Sequence, residues 1–201
     1  PVSGKVELIN VDAEKILLCE KNDNKTEENY IAQWKNARNY MDRKEALDYF
    51  AKKTMPELAR GLQDKFHKLR ISTIQKLASS PYKTDKVVLE QIEEIARKDR
   101  YSLVRAAAIA FLAKNGDAKY KPLFEMAVND SSYSVAGEAL KGLSKLDAAN
   151  AYSLAKKYSA DAKGTLGEVV NKIIIDNGTE ADFDFIATRY EEAPLSQEKL
   201  E

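Results

Sequence analysis

Few side chains in this sequence have the type and spacing to do chemistry. His67 is the single histidine and Cys19 the single cysteine in 201 residues. A histidine-based zinc site usually draws on two or more imidazoles, often four residues apart on a helix. His67 has no such companion and reads as an ordinary helix residue. Cys19 closes the apolar run Ile16-Leu17-Leu18-Cys19 with no histidine near it in sequence. That setting suits a small buried hydrophobe rather than an activated thiolate. No Gly-x-Ser-x-Gly nucleophile elbow occurs. Gly164-Thr165-Leu166-Gly167 lacks the Gly-Lys-Ser/Thr of a phosphate loop and reads as a helix start or a close helix contact. Glu90, Glu93 and Glu94 share a predicted helix with Lys86, Arg97 and Lys98, and Glu27 and Glu28 share another. Paired carboxylates can do acid–base work, but interspersed with cations they read as a solvated helix face. No catalytic residue and no metal ligand is assigned.

Two arginines and a group of aromatic rings remain as candidates. Arg70 and Arg105 each follow an apolar residue at equivalent places in a repeated pattern. They can pair with the aspartates of neighbouring repeats as a ladder, or present cations to a ligand on a concave face. Tyr30, Trp34 and Tyr40, with Tyr49, make an aromatic-rich opening region. Core packing or docking on a neighbouring domain explains these rings better than base stacking does.

The pattern that must position them is a helical frame. Asp99, Val104, Ala108 and Leu112 have the spacing Asp, +5, +9, +13. Asp130, Val135, Ala139 and Leu143 repeat it, as do Asp64, Leu69, Thr73 and Leu77. The steps of 35 and 31 residues are the length of one two-helix unit. Such a unit cannot bury its apolar face alone and needs neighbours on both sides. In the copy that starts at Asp99, the aspartate is expected to cap the helix. Val104, Ala108, Phe111 and Leu112 make its apolar face, the alanines Ala106, Ala107, Ala108 and Ala110 keep it thin, and Gly116 suits a left-handed C-cap.

Along the chain, residues 5–11 and 15–20 read as a short β-hairpin. A helix is expected from Thr26, then a break at Asn36 to Tyr40, then a helix capped by Asp42 that carries Ala46, Leu47, Phe50 and Ala51. Further helices are predicted at 56–66, 68–79, 84–98, 102–114, 118–129, 132–145, 148–158, 163–176 and 180–191. Their separators are short and polar, as stacked antiparallel helices require. The fold class is all-α: a right-handed α-solenoid of helical hairpins, preceded by the hairpin.

Lys+Arg and Asp+Glu both number 32, so the formal charge is zero. A duplex-binding surface carries a clustered basic excess, whereas here the signs are interspersed, and no nucleic-acid partner is expected. No run approaches the roughly 20 apolar residues of a membrane span, so no membrane partner is expected either. One cysteine gives no intramolecular disulfide framework, which suits the cytoplasm and equally an exported bacterial protein. The opening Pro1-Val2-Ser3-Gly4-Lys5 has neither signal peptide nor initiator Met and reads as a piece of a longer protein.

The aspartate frames, above all Asp99 to Asp117, resemble HEAT-type repeats over residues 42–190. The opening carries a narrower likeness. Val11-Asp12-Ala13-Glu14-Lys15-Ile16-Leu17-Leu18, then Lys21-Asn22-Asp23-Asn24-Lys25-Thr26-Glu27-Glu28-Asn29-Tyr30, then Gln33-Trp34-Lys35-Asn36-Ala37 and Asp42-Arg43-Lys44-Glu45-Ala46-Leu47 resemble the junction after the catalytic core in bacterial M1-family zinc aminopeptidases. The resemblance implies residues 1–24 as the tail of a preceding β-sandwich and residues 25–201 as a HEAT/ARM-like superhelical domain. It implies a noncatalytic module that packs on the catalytic and β-sandwich domains of the same polypeptide and shapes the access of peptide substrate. The family's His-Glu-x-x-His and Gly-x-Met-Glu-Asn motifs are absent from this sequence. The implied zinc therefore belongs to the parent enzyme, with no cofactor in this part. Two other classes stand beside this reading: a stand-alone HEAT-type protein-binding scaffold, and a helical-repeat DNA-repair enzyme of the glycosylase type, which would need a basic groove.

Overall fold

The computed structural model describes residues 6, 9–12, 14, 16 and 23–192. Among these, every regular element is helical and none is a strand. The expected hairpin is corrected where it can be seen. Val6, Ile9, Val11 and Ile16 are exposed. Asp12 sits at φ 52° in a turn, and its Oδ1 accepts the Ile16 N–H at 2.9 Å. Two strands with no sheet beside them bury too little to hold together in water. The remainder of both arms, Cys19 included, lies outside the described residues.

The chain divides into two compact units, Pro1–Val88 and Leu89–Glu201. In the first, α1 (Glu27–Asn36) starts at a capping box. Thr26 and Asn29 exchange side-chain-to-backbone hydrogen bonds there, and Glu27 and Glu28 face the positive helix end. Next comes α2 (Tyr40–Lys52), which starts two residues before the expected cap. Asp42 is a buried residue of its first turn rather than its N-cap, the position held by Asn39. The two helices join through stacked Tyr30 and Tyr49, 3.9 Å between centroids, and through Trp34 edge-on to Phe50 at 6.3 Å. Buried Gln33 of α1 bonds the Asp42 carbonyl at 2.7 Å and Glu45 at 2.9 Å on α2.

Residues Pro56–Gln63 form a 3₁₀ segment where the sequence predicts a longer helix. Gly61 of this segment makes a close contact. A Cβ there would stand 2.1 Å from Thr73 Oγ1 and 2.7 Å from Leu47 Cδ1, so the backbone itself packs on its neighbours. Asp64 then turns extended, at ψ 140°, and ends the segment. In α3 (His67–Leu77), the positions Leu69, Thr73 and Leu77 are all buried.

The predicted helix that follows is α4 (Lys86–Lys98), and the boundary between the two units falls within it. The second unit continues with α5 (Ser102–Asn115), which ends at Gly116 in the left-handed conformation, φ 69°. A 3₁₀ turn leads into α6 (Lys121–Ala127). Then come α7 (Tyr133–Leu146), α8 (Ala148–Tyr158), α9 (Gly164–Asn177) and α10 (Phe183–Glu192). α7 is the hub and packs on α5, α6, α8 and α9. Its two glycines allow the close approach. A Cβ at Gly142 would come within 2.9 Å of Ala113 Cβ on α5, and one at Gly137 within 2.8 Å of the Leu166 backbone N on α9. Gly164-Thr165-Leu166-Gly167 is therefore both a helix start and a close helix contact. The frame residues Val104, Ala108, Leu112, Val135, Ala139 and Leu143 are all buried.

One joint in the first unit carries strain. α2 ends in a Schellman turn, with the Met55 N–H on the Phe50 carbonyl at 2.8 Å and the Thr54 N–H on the Ala51 carbonyl at 3.2 Å. The left-handed position of that turn is Thr54, at φ 55°. Glycine takes this conformation freely, whereas a side-chain-bearing residue costs about 1–2 kcal/mol. The Thr54 side chain is exposed, and the contact from the Tyr82 hydroxyl, 3.0 Å, goes to its carbonyl. Thr54→Gly is therefore expected to stabilise the chain by about 1 kcal/mol and to raise Tm by about 2–4 °C. Thermal unfolding checks this, and a lowered Tm would contradict it.

Candidate functional site

Each frame aspartate closes an Asx turn ahead of its helix. Asp64 Oδ1 accepts the Phe66 N–H at 2.8 Å, Asp99 Oδ1 the Tyr101 N–H at 2.9 Å, and Asp130 Oδ1 the Ser132 N–H at 2.9 Å. The N-cap itself falls two residues after the aspartate, at Phe66, Tyr101 and Ser132. The carboxylate orders the approach to the helix rather than capping its first turn.

In the copies that start at Asp64 and Asp99 the arginine six residues on completes the turn, whereas after Asp130 that slot holds Ala136. Arg70 Nη1 donates to the Asp64 carbonyl at 2.7 Å, and Arg105 Nη1 donates to the Asp99 carbonyl at 2.9 Å. Arg105 also reaches forward to the next copy. Its Nη2 donates to Asp130 Oδ2 at 2.8 Å and Oδ1 at 3.0 Å, and its Nε to Oδ2 at 3.2 Å. Both side chains are about 19% exposed, which limits the water that can compete for the pair. Arg70 is buried over the end of the preceding segment.

A third arginine of this kind, Arg43, was not singled out from the sequence. Its Nε donates to Asp64 Oδ2 at 2.7 Å, and its Nη1 donates to the Arg38 carbonyl at 2.5 Å. The geometry reveals a fourth, degenerate copy of the frame. Counting back six residues from Arg43 reaches Ala37, and +5, +9 and +13 from there are Asp42, Ala46 and Phe50, all buried. An alanine in the aspartate slot and an aspartate in an apolar slot hid it. The signal left in the sequence was the arginine itself, 21 residues before Asp64. Within each unit one rule then holds: the arginine of one copy grips the aspartate of the next.

The opening rings lie in the first unit and are half-buried. Tyr30 stacks on Tyr49, Trp34 meets Phe50, and Tyr40 stands edge-on to Phe66 at 5.0 Å and 78°. Lys25 Nζ sits 5.4 Å from the Tyr30 ring centroid and bonds Glu45 at 2.8 Å. His67 lies beside Phe66, 4.9 Å between ring centroids, at the start of α3.

In the second unit the sequence reading missed Asp182. It closes a capping box with Thr179, whose N–H it accepts at 2.9 Å, and it receives the Tyr152 hydroxyl at 2.5 Å and the Lys156 ammonium. The carboxylate is almost fully buried. The Lys156 bond foremost, then those from Tyr152 and Thr179, holds its carboxyl far below the usual carboxylate range. Tyr152 is pushed the other way, above the usual tyrosine value, because its hydroxyl donates to that anion. The Tyr152 hydroxyl thereby ties α8 to the capping box at Thr179. The sequence did carry the signal, as Thr179-x-x-Asp182 and the i, i+4 pair Tyr152 and Lys156.

Among the described residues no group of three His, Cys, Asp or Glu side chains is placed to hold a metal ion. Among them, too, no helix is long and apolar enough to cross a membrane. No protein-family model and no curated protein matches the chain.

The Asp182 cluster makes the second unit sensitive to acid. A carboxylate with a depressed folded pKa adds stability that is complete above its unfolded value, about 3.9, and is lost as pH falls below it. Asp182→Asn is therefore expected to lower Tm at pH 7, with a gap to the native chain that stays constant down to about pH 5 and narrows below about pH 4. Thermal unfolding across that range checks it. A gap that does not change with pH would assign the effect to shape rather than charge.

Proposed function

We propose that this chain is a noncatalytic α-solenoid of HEAT-like hairpins from the C-terminal part of a bacterial M1-family zinc aminopeptidase. It packs on the catalytic and β-sandwich domains of the same polypeptide and shapes the access of peptides to them. The observation that carries the repeat reading is the forward grip of arginine on aspartate, made by Arg43 on Asp64 and by Arg105 on Asp130. The aminopeptidase reading rests on the likeness of residues 11–47 to the junction that follows the catalytic core in that family. Tyr30, Trp34 and Tyr40 support docking between domains, since each ring meets one partner ring and is otherwise only half-buried. Zinc and peptide cleavage belong to the parent, because neither family motif lies in this sequence. Arg70 and Arg105 act in this reading as ladder residues, with their charges engaged in holding hairpins together.

The test compares the full-length gene product with this chain for bound zinc and for chelator-sensitive release of amino-terminal residues from peptides. Both properties in the long form and neither in the chain is the expected result. A long form with neither, or a gene product no longer than this chain, would overturn the reading in favour of a stand-alone protein-binding scaffold.

A further inference from the structure

A second feature of the first unit lies outside the ladder. The starts of α2 and α3 border a depression of about 610 Å³, lined by Arg38, Tyr40, Arg43, Lys65, Phe66 and Lys68. Its floor is apolar, the edge-on pair of Tyr40 and Phe66. Its rim is cationic. Arg43 is neutralised by Asp64, which also accepts the Phe66 N–H. Arg38, Lys65 and Lys68 are exposed, and none has an ion-pair partner among the described residues. What sets the depression apart is that three unpaired cations converge on one aromatic concavity, in a chain whose formal charge is zero. Other cations of the chain do meet acids, as with Lys44 and Lys76 on Asp48 and Arg97 on Glu93. The positive ends of two helices add to the same potential.

We propose that this cleft docks an acidic polypeptide segment of a partner protein, with side-chain carboxylates on Arg38, Lys65 and Lys68 and an apolar side chain on the Tyr40–Phe66 floor. The chemistry favours carboxylates on a peptide over a nucleic-acid backbone. Strand binding spreads phosphate contacts along a basic track, and salt-sensitive affinity grows with their number. Here the cations are confined to one small concavity with an aromatic floor. Such a site holds one or two turns of peptide, and charge steers the encounter. The proposal does not depend on the parent being an aminopeptidase.

The test titrates the full 201-residue chain with the blocked peptide acetyl-Glu-Asp-Phe-Glu-Asp-amide, read by backbone amide shifts. The comparison ligands are its Gln/Asn counterpart, a short oligothymidylate and inorganic phosphate. Blocked ends leave side-chain carboxylates as the sole anions. The expected result is saturable binding of the acidic peptide, with shifts confined to residues 38–43 and 65–68. The neutral counterpart should not bind, and the double variant Lys65→Glu, Lys68→Glu should bind at least about tenfold more weakly. Both substitutions are at exposed positions, and an unchanged Tm shows that the fold is retained. Arg38→Gln is a milder second variant and should weaken binding in the same direction. The proposal is overturned if the acidic peptide does not bind at millimolar concentration or binds the charge-reversed chain equally well. Equal or tighter binding of the oligonucleotide or of phosphate also overturns it.

Discussion

A carboxylate that serves two helices at once is the constraint on which the rest of the structure depends. Asp130 closes the turn into α7 through the Ser132 N–H and receives the guanidinium of Arg105 from α5. Asp64 does the same with the Phe66 N–H and Arg43. One residue thus sets the start of a helix and its register against a neighbour. The planar fork of arginine suits this double duty, because two parallel hydrogen bonds fix angle as well as distance. Apolar burial supplies the bulk of the stabilisation, but it is not directional. The ion pair decides which way the buried face of the next helix is turned.

Close packing then follows from small residues at defined points. Gly61, Gly137 and Gly142 each sit where a Cβ would intrude on a neighbour. Interiors are packed densely enough that even one methyl group is felt. A helix held in register by its aspartate can bring such a glycine to the same contact every time. A helix free to slide could not.

The helices from α3 onward were legible in the sequence because the apolar spacing and the polar separators agree. What was not legible has identifiable causes. The segment Pro56–Gln63 is 3₁₀ rather than α, and its Gly61 packs on Thr73, a contact no local pattern announces. α2 starts at Tyr40 because Asp42 occupies a buried frame slot, and aspartate there looks like a cap. Arg43 was hidden because its copy of the frame lacks the aspartate that marks the others. The Asp182 cluster left two separate signs in the sequence, Thr179-x-x-Asp182 and the pair Tyr152 and Lys156, but they lie 26 to 30 residues apart and only the fold joins them. Arg105 was legible as a ladder candidate because its own copy and the next are both intact. Function is further from view, since an arginine already engaged with an aspartate supports an architecture rather than naming a ligand.

The most direct test of the account is a double-mutant cycle on Arg105 and Asp130, using Arg105→Ala, Asp130→Ala and both together in denaturant unfolding. The cycle cancels the loss of the Ser132 turn, which is common to both backgrounds that lack Asp130. A coupling energy of about 1–2 kcal/mol is predicted for a half-buried bidentate pair. Additivity to within about 0.5 kcal/mol would show that the helices hold their register without the pair, and would contradict the account.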